Sequence, residues 1–371
     1  MKQKKYLIIP RPHIGDFIWV TSAVAILRKE DSNSKIIVLA PKYLDEFIEN
    51  NYIFDDKITY DLKYFKTSNI WLKIFYRIVL CIKLIFVIRM YDFNCCFLFS
   101  PFPIFTKIIA FSGINKIIFG TNECCGVKKE SVESKFLNKF VVKNKLFPVQ
   151  TYDNSDFIHY SEKWQTIVRG YFNSFNIALP VLPESKKNSK IFEDTVKQTG
   201  NKKVALCING SKDSKNIWPQ RYFKQIINGI AENIKVSFFI VGGNEQYENA
   251  RNFILNFNNT DINIQNLCGK TLLLELKEIF EHLDLLISVD TGVVHIAAMT
   301  KINIITLFGM TAPDAVIPMT PNNISFYTSE KCSPCVYLQT FEKKKCPYNE
   351  PKCMTNIKPE IVIKTALNIL K

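Results

Sequence analysis

The chain has 371 residues, of which 47% are hydrophobic and 22% charged, and it carries a formal net charge of +14. That is more chain than one ordinary domain core holds and enough apolar content for two, which excludes a disordered or fibrous protein. The cationic excess is spread along the sequence and suits an anionic partner, whether phosphorylated substrate, nucleic acid or membrane face, although a lysine-rich proteome produces the same excess. The first apolar run, Tyr6–Pro10, meets Arg11 too soon to be a signal-peptide core. A cytosolic, reducing compartment is therefore expected for the eleven cysteines. Cys95, Cys96, Cys124, Cys125, Cys207 and Cys268 then read as small core residues.

In chain order, YLIIP at 6–10 is a buried strand, and 17–28 carries apolar residues at helical spacing. KIIVLA at 35–40 is a second strand, followed by the helical PKYLDEFIEN. The stretch 71–90 is the most apolar, but Lys73, Arg77, Lys83 and Arg89 interrupt it, so it is no membrane span. It reads as a buried helix with one basic face, or as a basic amphipathic helix touching a membrane surface. Strands at 95–99 and 117–120 flank a helix at 104–111. Residues 121–157 read as loop and irregular helix, and 159–175 as a helix. ALPVLPESKKNSK at 178–190 is the best linker.

A second alternation begins at Lys203: VALCING, a helix at 220–232, VSFFIVGG, and helices at 246–255 and 273–281. LLISV at 285–289, a helix at 291–299 and IITLF at 304–308 complete it. Buried strands separated by helices predict two α/β domains with parallel sheets. Their ligand site is expected in a cleft between the carboxyl ends of the strands. The domains are predicted at 1–177 and 201–356, with a linker at 178–200 and a terminal helix at 357–371 that returns to the first domain.

Asp290-Thr291-Gly292 evokes an aspartic protease, but such a site needs two carboxylates sharing a proton, and this motif occurs once, before a helix. A strand–turn–helix instead exposes unpaired amides suited to phosphate. Gly292 allows close backbone approach, Thr291 offers a hydroxyl, Asp290 can cap the helix, and His295 lies one turn in. Three other loops belong at strand ends. NGSKDSKNIWP presents Ser211, Lys212, Ser214 and Lys215 to a diphosphate, with Pro219 opening the next helix. VGGNEQ places Glu245 after a glycine pair, suited to ribose hydroxyls. RPHIGDF uses Gly15 for the turn and sets Asp16 at the start of a helix, as a cap or a general base.

Together these loops resemble glycosyltransferase family 9, the heptosyltransferases of lipopolysaccharide core synthesis. The motifs that carry the likeness are IIPRPHIGDFIWVTSAVAILRK, YDFNCCFLFS with FSGINKIIFG, NGSKDSKNIWPQRYF, VGGNEQ, and LLISVDTGVVHIAAM followed by ITLFGMTAPD, in that order. The resemblance implies a GT-B enzyme: two Rossmann-like domains facing across a cleft, donor on the C-terminal one. It implies Asp16 as the base, Ser211 and Lys215 at the donor phosphates, and Glu245 at the ribose. Asp290, Thr291, Gly292, Val293 and His295 would line the pyrophosphate and sugar. Where the family has Ser or Asp before its Gly-Asp, this chain has Pro12 and His13, so His13 and Gly15 are assigned to the acceptor side.

The implied partners are ADP-heptose and an anionic, lipid A-linked glycolipid, with peripheral contact on the inner face of the cytoplasmic membrane and no nucleic acid. The implied reaction inverts the anomeric centre and requires no cofactor. The alternative is a family relative using another nucleotide sugar or a protein acceptor of the autotransporter kind. Outside the class stands a basic nucleic-acid- or membrane-binding α/β protein without catalysis. A nicotinamide oxidoreductase lacks its Gly-x-Gly-x-x-Gly fingerprint. Finally, Cys332, Cys335, Cys346 and Cys353 are spaced C-x2-C-x10-C-x6-C, a set that could complete a tetrahedral Zn or Fe site.

Overall fold

The computed structural model describes residues 3–49, 51–62, 69–99, 103–114, 116–119, 147–148, 159–184, 201–208, 217–257, 259, 261–335, 346 and 348–371. The chain divides into two compact units, Met1–Glu184 and Ser185–Lys371. In the first, β1 (Lys5–Ile9), β2 (Lys35–Pro41), β3 (Asp56–Tyr60), β4 (Cys95–Leu98), β5 (Ile117–Phe119) and β6 (Phe147–Pro148) form one sheet. Its order is β3-β2-β1-β4-β5-β6 and every pairing is parallel. Helices α1 (Ile14–Glu30), α2 (Asp45–Glu49), α3 (Ile70–Tyr91), α4 (Pro103–Ser112) and α5 (Tyr160–Phe172) connect and cover it.

α1 is buried on almost every side, from Phe17 through Ala23 without a break. Its polar positions are consequently paired. The Ser22 hydroxyl bonds that of Ser161 on α5 at 2.8 Å, and the Gln165 amide donates to Ser22 at 3.2 Å. The same Gln165 brackets Ala178 through its carbonyl and its N–H, while Thr21 accepts from the Val181 N–H at 2.8 Å. The start of the predicted linker is therefore stitched onto the first unit, and residues 185–200 lie outside the described set.

α3 departs from the buried helix favoured by the sequence. Leu80, Leu84 and Ile88 are packed into the core, but every described side chain from Ile70 to Val79 is exposed. Asn69 starts the helix by accepting from the amides of Trp71 and Leu72, and Asp92 ends it in the left-handed region at φ 54°. No helix among the described residues is long and apolar enough to cross a membrane.

The second unit repeats the plan. It comprises β7 (Lys202–Cys207), α6 (Gln220–Ala231), β8 (Val236–Ile240), α7 (Tyr247–Leu255), β9 (Asn263–Asn266), α8 (Leu273–Phe280), β10 (Leu285–Val289) and α9 (Gly292–Ala297). β11 (Asn303–Phe308), α10 (Pro313–Val316), β12 (Asn323–Tyr327), α11 (Lys352–Thr355) and α12 (Pro359–Leu370) follow. The strand order β12-β11-β10-β7-β8-β9 is again parallel throughout. In both sheets the chain winds outward from one central strand and then outward the other way from its neighbour. That is the doubly wound, Rossmann-like order, whose switch point opens a ligand crevice at the carboxyl ends of the two central strands. The fold class expected from the sequence, two Rossmann-like parallel sheets of the GT-B kind, is what the chain adopts.

The terminal helix contributes to the core of the second unit. α12 packs on α6 of its own unit, with Val362, Ala366 and Leu370 in that unit's core. The approach is close enough that a Cβ on Gly229 would stand 2.8 Å from Ile363. The amphipathic face finds its partner where α6 is already apolar and glycine removes the obstruction.

Candidate active site

In the first unit the carboxyl end of β1 delivers Arg11 to Asp16. The helix starts one residue before Gly15, at Ile14, so Gly15 lies in its first turn rather than making the turn itself. Asp16 sits in that same turn, its side chain only 12% exposed. The Arg11 guanidinium is 3.7 Å from Asp16 Oδ1, near enough to act as a charge but too far for a hydrogen bond, and Oδ1 has no hydrogen-bond partner. Burial raises the Asp16 carboxyl above its ordinary value, against the opposing charges of Arg11 and His13. Arg11 is itself held over the rings of Tyr160 and Trp164, at 5.4 and 5.8 Å. His13 is exposed and serves as the N-cap residue through its backbone only. A largely desolvated carboxylate with an unfilled acceptor is suited to act as a general base.

In the second unit the carboxyl ends of β10, β7 and β8 lie side by side because those strands are sheet neighbours. This brings together the turns at 290–295 and 241–246. The loop with Ser211 and Lys215 leaves the same edge after β7, but both residues lie outside the described set. Asp290, Thr291, Gly292 and Val293 are each half-buried, whereas His295 is only 4% exposed and packs within the unit. Thr291, not Asp290, is the N-cap residue, and its hydroxyl makes no capping bond. The Asp290 carboxylate instead accepts from the Thr311 hydroxyl at 2.6 Å. α9 has six residues, shorter than expected, so its first unpaired amides matter more than any helix dipole.

The glycine pair in VGGNEQ leaves room for two side chains that fold back over it. A Cβ on Gly242 would lie 2.1 Å from Gln246 Oε1, which already accepts from the Gly243 N–H at 2.9 Å. A Cβ on Gly243 would lie 2.6 Å from the Glu245 carboxylate, which is exposed and folds back over that glycine. Thr311 is the residue the sequence reading missed. Its signal was its place just past β11, which pairs with β10 and so ends beside Asp290.

A profile of glycosyltransferase family 9 (heptosyltransferase) matches residues 144–346, more than half of the chain. The chain belongs to that family. It is 27% identical over 216 residues to lipooligosaccharide heptosyltransferase 2 of Campylobacter jejuni, covering 57% of this chain and 66% of that protein, which falls short of two thirds of the relative's length. Among solved structures it is similar to the E. coli ADP-heptose lps heptosyltransferase II, with a TM-score of 0.73, 14% identity and coverage of 99% and 98% of the two chains. It is also similar to the E. coli heptosyltransferase WaaC with ADP, with a TM-score of 0.63, 13% identity and coverage of 98% and 99%. At such identities the likeness to the family's solved members is one of fold.

The C-terminal thiols are the remaining sequence feature singled out as a possible site. None of the nine described cysteines is in a disulfide. Cys353 is buried, and its thiol is pushed up to about 11, first by burial and then by the nearby Cys335, Cys332 and Cys346. Among the described residues no group of three or more His, Cys, Asp or Glu is arranged to hold a metal ion. The four thiols of the predicted set share a neighbourhood, each of the other three acting on Cys353.

Proposed function

We propose that this protein transfers a heptose from ADP-heptose to a lipid A-linked lipopolysaccharide core acceptor, inverting the anomeric centre. The observation that carries the reading is the buried, hydrogen-bond-deficient Asp16 at the carboxyl end of the first sheet's central strand. The turn of Asp290 to Val293, at the carboxyl end of β10 beside the second sheet's first central strand β7, supports it. Asp16 accepts the proton of the acceptor hydroxyl as that oxygen bonds the anomeric carbon. The bond from that carbon to the β-phosphate oxygen breaks, and ADP departs with the electron pair. Amides of Gly292 and Val293, with Lys215 and the hydroxyls of Ser211 and Thr291, meet the charge that develops on the diphosphate. Glu245 holds the ribose hydroxyls, His295 braces the turn from beneath, and His13 and Gly15 border the acceptor.

Thr311 positions Asp290 in this scheme. Thr311→Val is expected to weaken ADP about tenfold or more, the worth of roughly one hydrogen bond to a carboxylate, while Thr311→Ser retains wild-type affinity. Calorimetric titration reads both, and equal affinity in Thr311→Val removes that role.

The protein is assigned to the cytoplasm, working peripherally at the inner membrane, where a lipid-anchored acceptor is presented and a cationic chain is attracted. The direct test offers ADP-heptose, and separately UDP-hexoses, with a heptose-deficient lipid A-linked core. Mass spectrometry is expected to find one heptose added only with ADP-heptose, and proton NMR an inverted anomer. Transfer from a UDP-hexose alone, or to protein in place of the glycolipid, would reject the assignment.

A further inference from the structure

α3 carries two apolar stripes on opposite faces. One, Leu80, Leu84 and Ile88, is buried in the first unit's core. The other follows the same helical spacing through Trp71, Phe75, Ile78, Ile82, Phe86 and Met90, which are 53% to 77% exposed. The helix is 22 residues, about 33 Å at 1.5 Å per residue. Phe111 at the end of α4 extends the exposed stripe, tied there by the Arg89 guanidinium, which donates to its carbonyl at 2.8 Å. An apolar surface of this extent on a water-exposed helix marks an interaction face.

The charge pattern identifies what covers it. Between Ile70 and Tyr91 there is no acidic residue, and the four charged ones, Lys73, Arg77, Lys83 and Arg89, are all cations. A second copy of the chain would meet cations with cations. A coiled-coil partner would need a single seam, whereas the first ten residues of α3 are exposed on every described side. A bilayer surface satisfies both features. Its acyl region surrounds the apolar side chains, its anionic headgroups meet snorkelling lysine and arginine, and Trp71 and Tyr76 suit the interfacial belt. We infer that α3 is a membrane-docking helix that seats its Trp71–Met90 stripe at the headgroup boundary of an anionic bilayer. The inference deepens the reading of a lipid-anchored acceptor and rests on it for its biological sense, but it is testable without donor or acceptor.

The experiment is co-sedimentation of the full chain with vesicles of phosphatidylcholine alone or mixed with phosphatidylglycerol. The wild type is expected to partition onto the mixed vesicles, less so as salt is raised. The combined variant Ile78→Ser, Ile82→Ser, Phe86→Ser is expected to lose at least about a hundredfold in partition, from the loss of three buried apolar side chains. Lys83→Glu is expected to lose binding in the same direction. Melting temperature and ADP affinity should stay as in wild type, since these side chains face away from the core. Wild-type chain that ignores the mixed vesicles, or a triple variant that binds them equally, overturns the inference. So does a wild type that self-associates in sedimentation velocity through the stripe while vesicles leave it in solution. Vesicle binding without heptose transfer would reject only the proposed function, and transfer to detergent-dispersed acceptor without vesicle binding would reject only this.

Discussion

Asp16→Asn is expected to lower turnover by about 10²- to 10⁴-fold with ADP affinity nearly unchanged, because the amide keeps the shape of the carboxylate and loses its basicity. Asp16→Ala is expected to do the same. The variant is also expected to reveal what the buried carboxylate costs the fold. With its folded-state value raised by burial, Asp16 binds its proton more tightly in the native protein than in the unfolded chain. Its stabilising contribution is therefore complete below the ordinary carboxylate value of about 3.9 and is lost as pH rises through the raised one. Wild type and Asp16→Asn should melt alike in acid, and the variant should melt higher at neutral pH. Turnover of the wild type should fall, as pH is lowered, at a point above that of an ordinary aspartate. A wild-type rate in Asp16→Asn would move the base elsewhere, with His13 the first candidate.

Trp218→Ala should be among the most destabilising single changes in the second unit. The side chain is fully buried between β7 and α6, stands edge-on to Phe223 at 5.0 Å, and donates its indole N–H to the Ile357 carbonyl at 3.0 Å. Truncating a buried tryptophan costs about 3–5 kcal/mol, and the stranded carbonyl adds to that. Trp218→Phe keeps most of the packing and loses the hydrogen bond, a cost of about 1 kcal/mol. Trp218 lies three residues past Lys215 and ties the start of α6 to the segment that leads into α12. Denaturant unfolding separates the two variants. An alanine variant within about 1 kcal/mol of wild type would mean the indole anchors nothing.

The residues that were legible in the sequence and those that were not differ by burial. β1, β2, β4, β7, β8, β10 and β11 read as strands because neighbours on both sides leave continuous apolar runs, and those strands are buried almost end to end. β3, β6, β9 and β12 went unread, and each is the edge of its sheet. NIQN and NISFY have no buried residue and DKITY buries only Ile58 and Tyr60, and all three mix polar with apolar residues, a pattern that loops share. α3 misled for the converse reason: hydrophobicity signals burial, and here half of the helix keeps its apolar side chains at the surface. At the site, Asp16, Asp290 and Gly292 were identifiable as glycine- and carboxylate-bearing turns after strands. The Asp290–Thr311 bond was not, because it joins loops from separate strands that only the sheet order makes adjacent.

Hydrogen–deuterium exchange of the full chain with and without saturating ADP tests the placement of the donor most directly. Binding at the carboxyl edge of the second sheet requires slowed exchange in the amides of 290–295 and 241–246, and in the 209–216 loop, with β9 and α7 beyond the turn unchanged. Protection confined to the first unit, or none at saturation, would contradict it.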